Sequence, residues 1–322
     1  MRTIAIAVAI LALAACSGAP SPSLPQTQSA PALPGRVSRE TPKDGIYVSE
    51  FYGSSVFGYA GMNQRNAPPI CGETSGDFVA DVATDRNGDL IAPSQLDETV
   101  KVYSGPRMCG PTAATLKDPY GLPVDVASAN ALTLQIAVAN IEDDGPISNP
   151  PPGSITICTV AGGCTKNLTD RRMYRVAGVA VDKGGNCWAS AVDKNNEATL
   201  TYFRHCSGKG HAATGFQNSN YGGLEFDESG NLIALDSANT RIFIYAGCRP
   251  ACRLIAGPLA LQGKSIYGKL DTKGTTFAAA DYQYGRIDLY KYSTTGLSYE
   301  FSFSQDLGQG SSVEGVAFSP SL

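Results

Sequence analysis

The residues best placed to do chemistry are acids that return at one repeated position. Glu50, Asp236 and Asp281 each stand six residues before a β-branched residue, and Asn140 holds the matching place in a less regular stretch. Such side chains, projecting from successive repeats, would form a polar or cation-binding rim. The competing account is local: each carboxylate accepts backbone N–H bonds from its own turn. That account is favoured, because a repeated position usually serves the repeat. Asp85-Arg-Asn-Gly-Asp89 invites a calcium reading but lacks the spaced acids and closing Glu of an EF-hand loop, so a hairpin turn is expected. His205 and His211 flank Cys206 in a Gly/Lys-rich loop, which suits solvated surface better than catalysis. The chain has no Ser nucleophile elbow, P-loop or dinucleotide fingerprint. No catalytic residue, metal or cofactor is therefore expected.

The elements that position these residues come from an internal repeat. Gly223-Leu-Glu-Phe-Asp-Glu-Ser-Gly-Asn-Leu-Ile-Ala-Leu-Asp236 shares its frame with segments starting at Gly178 and Asp81, and more loosely with one starting at Asp271. The plan is a short alternating strand, a turn with Asp first and Gly fourth, then an apolar strand. Asp can bond the following N–H groups and Gly tolerates the positive φ that closes such a turn. A third strand follows in Val56–Tyr59, Val100–Tyr103, Ile242–Tyr245 and Ile287–Tyr290. Alternation at two dominates, with no long apolar stripe at helical spacing.

Asp236-Ser-Ala-Asn-Thr-Arg-Ile-Phe-Ile-Tyr245 resembles the NHL-type propeller repeat, and Asp281-Tyr-Gln-Tyr-Gly-Arg-Ile-Asp-Leu-Tyr290 is similar. The resemblance implies an all-β fold, a β-propeller. Units of about 45 residues match blade length and give six blades over residues 44–322. Residues 46–50 read as a second strand without a first, and 313–319 as a first strand without a second. Together they should complete one blade and close the ring. Blade three, with an insertion at 143–153, is irregular.

Propeller enzymes offer a test of activity. In the gluconolactonase-type family, Asn or Asp just before the Gly of some first strands holds a divalent metal. The matching residues here are Ala80, Tyr120, Ala177, Gly222, Ile266 and Glu314, of which only Glu314 could ligate one. The streptogramin lyase family relies on a catalytic His, for which the loop histidines are poor candidates. The expectation is a non-catalytic binding or scaffolding platform for a protein, peptide or glycan. Its ligand face would carry Glu50, Asn140, Asp236, Asp281 and Glu314. The alternative is a lactonase- or streptogramin-lyase-like enzyme with a divalent metal in the central channel.

Eight cysteines follow Cys16, an even number that points to disulfides in an exported domain. Cys158–Cys164 and Cys248–Cys252 each flank a tight turn between outer strands. Cys187 and Cys206 bracket a centre near Asn196, opposite one another across two strands. Cys71–Cys109 remains by elimination.

The N-terminus carries Arg2 and then an apolar run to Ala15, the layout of a secretory signal. Leu13-Ala14-Ala15-Cys16 resembles the bacterial lipobox. That resemblance implies cleavage after residue 15 and a thioether-linked diacylglycerol, with palmitate-type acyl chains, on Cys16. Ser17, rather than Asp, leans towards the outer membrane, facing the periplasm or cell surface. Residues 16–43 are rich in Pro, Ser and Ala, too poor in large apolar groups to fold, and read as a disordered tether. At about 3.1 Å per residue it could reach roughly 80 Å. The formal net charge of −4, with no basic run, gives no nucleic-acid footprint. A monomer, held to a membrane by its lipid, is expected.

Overall fold

The computed structural model describes residues 45–51, 55–59, 69–71, 78–85, 87–104, 112–128, 135–141, 152–303 and 313–319. Cys16, the signal, the tether and Cys109, with its expected bridge to Cys71, lie outside the described residues. In chain order the strands are β1 (Ile46–Glu50), β2 (Ser55–Tyr59), β3 (Pro69–Cys71), β4 (Ala83–Thr84), β5 (Leu90–Ser94), β6 (Thr99–Tyr103), β7 (Thr112–Lys117) and β8 (Pro123–Ser128). They continue as β9 (Gln135–Asn140), β10 (Ser154–Thr159), β11 (Gly163–Leu168), β12 (Arg175–Val181), β13 (Cys187–Val192), β14 (Ala198–Phe203), β15 (His211–Ala212) and β16 (Leu224–Phe226). The last are β17 (Leu232–Asp236), β18 (Arg241–Ala246), β19 (Arg253–Ala260), β20 (Gly268–Leu270), β21 (Thr276–Asp281), β22 (Arg286–Ser293), β23 (Gly296–Phe303) and β24 (Val313–Phe318).

These strands form six antiparallel four-stranded sheets, a six-bladed β-propeller. Blade one is β24-β1-β2-β3, so the last strand is the inner strand of the first blade. Ile46 pairs with Phe318, Val48 with Val316 and Glu50 with Val313. Blades two to six are β4–β7, β8–β11, β12–β15, β16–β19 and β20–β23. The ladder between β1 and β24 leaves the ring without an open inner edge.

Each blade is apolar on both faces, so the core is a set of wedges between neighbours. Ile46, Val48 and Val316 pack on Ala278, Ala280 and Leu289 between blades one and six. Trp188, Leu224, Phe243 and Tyr245 fill the wedge between blades four and five.

Local chemistry sets the hairpins. Asp85, Asp182, Asp227 and Asp271 each accept backbone N–H bonds from the residues after them, at 2.6–2.9 Å. Gly88 and Gly185 close their turns at φ 81° and 72°, where a side chain would be strained. The repeated third-strand Tyr has a job as well. The hydroxyls of Tyr245 and Tyr290 accept the N–H groups of Gln217 and Gln262, at 2.9 and 2.8 Å, pinning the loop that leads into each blade.

Disulfides join Cys158–Cys164, Cys187–Cys206 and Cys248–Cys252. Such bonds belong to an oxidising, extracytoplasmic environment.

Ring closure makes a direct prediction. Deleting residues 313–322 strips β1 of its partner and removes the buried Val313, Val316 and Phe318, each worth about 1.5–3 kcal/mol. The truncated domain should unfold at much lower urea, with trypsin cutting across several blades. An unchanged urea midpoint would contradict closure through β24.

Candidate functional site

All inner strands run the same way, which gives the ring two distinct faces. The entry face carries the ends of the second strands. The turn face carries the Asp-x-x-Gly hairpins. Glu50, Asn140, Asp236, Asp281 and Glu314 all belong to the entry face.

The entry-face side chains are largely committed. Asp236 is fully buried, accepts from Ser219 N and Oγ, and pairs with Arg241 Nε at 3.1 Å. Asp281 accepts from Gln283 N and Tyr284 N and pairs with Arg286 Nε at 3.0 Å. Asn140 donates to Ser154 and Thr156 inside blade three. Burial, with Glu314 and then Asp281 close by, raises the Tyr282 hydroxyl pKa.

The axis holds a cluster that the repeated acids do not announce. Lys269 on β20 places Nζ 3.0 Å from Asp81 Oδ2 and 3.5 Å from Asp125 Oδ1. Both aspartates are fully buried and Lys269 is 7% exposed, so blades two, three and six meet in one ion cluster. Each aspartate also bonds a neighbouring inner strand: Asp125 accepts Val179 N–H at 2.7 Å, and Asp81 accepts Val316 N–H at 3.3 Å. Burial alone would lower the Lys269 pKa, but Asp125, Asp81 and Glu225 hold it above the ordinary lysine value. Burial, with Asp81 beside it, pushes Asp125 well above the usual carboxylate range despite Lys269.

The repeat explains why the axis admits this cluster. Asp81 and Asp125 stand where other blades have Gly178, Gly223 and Gly315. A Cβ on Gly178 would lie 2.1 Å from Gly222 O, and one on Gly315 would lie 2.4 Å from Asp81 Cα. Two residues on, Glu225 and Lys269 replace the alanines Ala83, Ala127, Ala180 and Ala317. Sequence comparison of blades could have found all four as departures from Gly and Ala. In blade three the residue before this position is Val124; the expected Tyr120 is displaced because the blade's longer approach shifts the frame.

A narrow cavity of about 150 Å³ follows the axis, lined by residues of all six inner strands. It shares Glu225, Phe226, Leu270 and Thr272 with a basin of about 730 Å³ on the turn face. Among the described residues, the basin lining includes the carboxylates of Asp85, Asp89, Asp182, Glu225, Asp227, Glu228 and Asp271 and one cation, Lys183. Neutral donors help to hold the four turn aspartates in place, and Asp182 also has Arg249 Nε 4.0 Å away. Trp188 Nε1 donates to Asp182 at 3.1 Å, and Tyr292 OH to Asp227 at 2.9 Å. Lys183 reaches the Glu228 backbone carbonyl. Glu225 forms the floor, where burial, with Asp81 nearby and Lys269 opposing, raises its carboxyl to about 7.

Neither histidine lines the basin. His211 stacks on Tyr202 with centroids 5.1 Å apart, and His205 donates its backbone N–H to Asn186. Among the described residues, no group of three or more His, Cys, Asp or Glu side chains is arranged to hold a metal.

Comparison with known proteins decides the fold. No family profile matches the chain, and no curated protein matches it. By structure, 1008 solved chains match, so the architecture is widely shared. One is a chain in the crystal structure of a nidogen/laminin complex, with a TM-score of 0.66 at 12% identity. The match covers 86% of this chain and 99% of that one. The likeness establishes a six-bladed propeller and nothing finer.

Glu225 yields a pH test. A carboxyl raised to about 7 stabilises the fold relative to an ordinary glutamate below about pH 4.5, and that advantage is lost as pH rises through 7. Glu225→Gln should therefore raise stability by about 1–3 kcal/mol at pH 8 and by little at pH 4. Urea unfolding at both pH values would show it. Equal effects at both would mean that Glu225 titrates normally.

Proposed function

We propose that this chain is an extracytoplasmic lipoprotein, anchored to a membrane by diacylated Cys16 and lifted on the tether of residues 16–43, whose propeller is a non-catalytic binding platform. Its ligand seat is the acidic basin on the turn face rather than the entry face. The observation that carries this reading is the charge imbalance of the basin: among the described residues, seven carboxylates line it with one lysine, Lys183, and Arg249 lies 4.0 Å from Asp182 at its edge. On the entry face Asp236 pairs with Arg241, and Asp281 shares Arg286 with Asp288. Uncompensated charge in a concave wall of low dielectric focuses its field on the opening, so the seat favours cationic groups on a protein, peptide or glycan. The similar propeller in the nidogen/laminin complex is an instance of the same fold in a structure with a protein partner. The lipobox and Ser17 favour the outer membrane as the platform's site, and the expected species is a monomer.

One preparation tests both halves. Membrane-extracted protein should begin at Cys16 with diacylglycerol attached, by intact mass, and Cys16→Ser should release it. The same protein should bind poly-lysine but not poly-glutamate, with binding falling more than tenfold between 50 and 500 mM salt, as an electrostatic seat requires. An unlipidated start elsewhere would refute the anchor. Equal retention of both polymers would refute the seat.

A further inference from the structure

The basin does not end at its acidic wall. A second concavity of about 260 Å³ opens from it between blades four and five, sharing Asp182, Lys183 and Phe226. Its walls include Trp188, Phe226, Leu232 and Cys248 of the Cys248–Cys252 bridge. Trp188 and Phe226 meet edge to face with centroids 5.8 Å apart, so the aromatic wall is rigid. Two unlike subsites therefore lie side by side on one face.

We propose that the basin and this side pocket form one peptide-binding groove, taking a basic side chain in the basin and a neighbouring apolar side chain in the side pocket. The proposal rests on the reading of the basin as the ligand seat and specifies what fills it.

Charge and size argue for this occupant. The cation lies over Glu225 and the turn aspartates Asp85, Asp227 and Asp271, which neutral donors hold in place. Preorganised acceptors of this kind lose little on binding. The side pocket is lined by apolar groups, and its rim carries Arg249, whose Nε is 4.0 Å from Asp182 and whose side chain is 52% exposed. That guanidinium repels a second cation and so sorts a neutral apolar group into the side pocket. The basin alone is in the range of about 300–1,000 Å³ that holds drug-sized ligands, more than one side chain occupies. A short peptide with a basic and an apolar residue in succession fills both compartments; a simple diamine fills only the first. Lys269 makes its ion pairs with Asp81 and Asp125, inside the axis.

The test uses the full-length protein and three fluorescein-labelled hexapeptides, Gly-Gly-Arg-Phe-Gly-Gly, Gly-Gly-Arg-Ser-Gly-Gly and Gly-Gly-Glu-Phe-Gly-Gly, read by anisotropy, with spermine as competitor. The Arg-Phe peptide should bind at least fivefold tighter than the Arg-Ser peptide, and the Glu-Phe peptide should not bind. Phe226→Ala, at a residue that borders both compartments, should weaken the Arg-Phe peptide more than the Arg-Ser peptide and so narrow the advantage. Glu225→Gln should weaken both arginine peptides. The peptide comparison needs no mutant, so a poorly folding Phe226→Ala does not stop the test. Equal binding of the two arginine peptides overturns the two-subsite groove and leaves the acidic seat standing. Failure of both arginine peptides and of spermine to bind overturns the groove and the seat together.

Discussion

A single buried ammonium organises this propeller. Lys269 comes from blade six and meets Asp81 and Asp125 of blades two and three across the axis. Taking three ionisable groups out of water is costly, and their mutual attraction repays it only when geometry and further hydrogen bonds are good. Here the aspartates also accept Val316 and Val179 N–H groups from adjacent blades. The cluster thus joins blades one, two, three, four and six at the point where inner strands approach most closely. Removing Lys269 would leave two buried aspartates close together without their cation.

The same cluster shapes the surface chemistry. Lys269 makes its ion pairs inside the axis, and its charge reaches the basin at Glu225 on the floor. The turn aspartates are there for backbone reasons, since each closes its own hairpin. Their shared position in the repeat nonetheless gathers them around one opening. A structural device, repeated blade after blade, thereby becomes a collective negative field. On the entry face Asp236 and Asp281 are just as regularly placed, but each has an arginine beside it, Arg241 for Asp236 and Arg286, shared with Asp288, for Asp281.

Much of the architecture was legible in the sequence because it is periodic. The Asp-x-x-Gly turns, the third-strand Tyr and the unmatched halves at 46–50 and 313–319 each follow from local rules that act once per blade. The arginines that spend the entry-face acids were also in view, five residues after Asp236 and Asp281. The repeated acid drew notice ahead of its own counter-ion. The axial cluster was hidden for a different reason. Asp81, Asp125, Glu225 and Lys269 are spread over four repeats, and each is conspicuous only as a departure from the Gly or Ala of its neighbours. The side pocket was beyond sequence reading, because it depends on how blade four turns its Trp188 towards Phe226 of blade five.

The most direct test of this account is urea unfolding of Lys269→Met beside Lys269→Met/Asp81→Asn/Asp125→Asn. The single variant leaves buried aspartates without their cation and should lose about 3–5 kcal/mol. The triple variant removes the charges together and should recover most of that loss. A single variant as stable as the parent, or a triple variant no better than the single, would contradict the claim that this ammonium holds the ring at its axis.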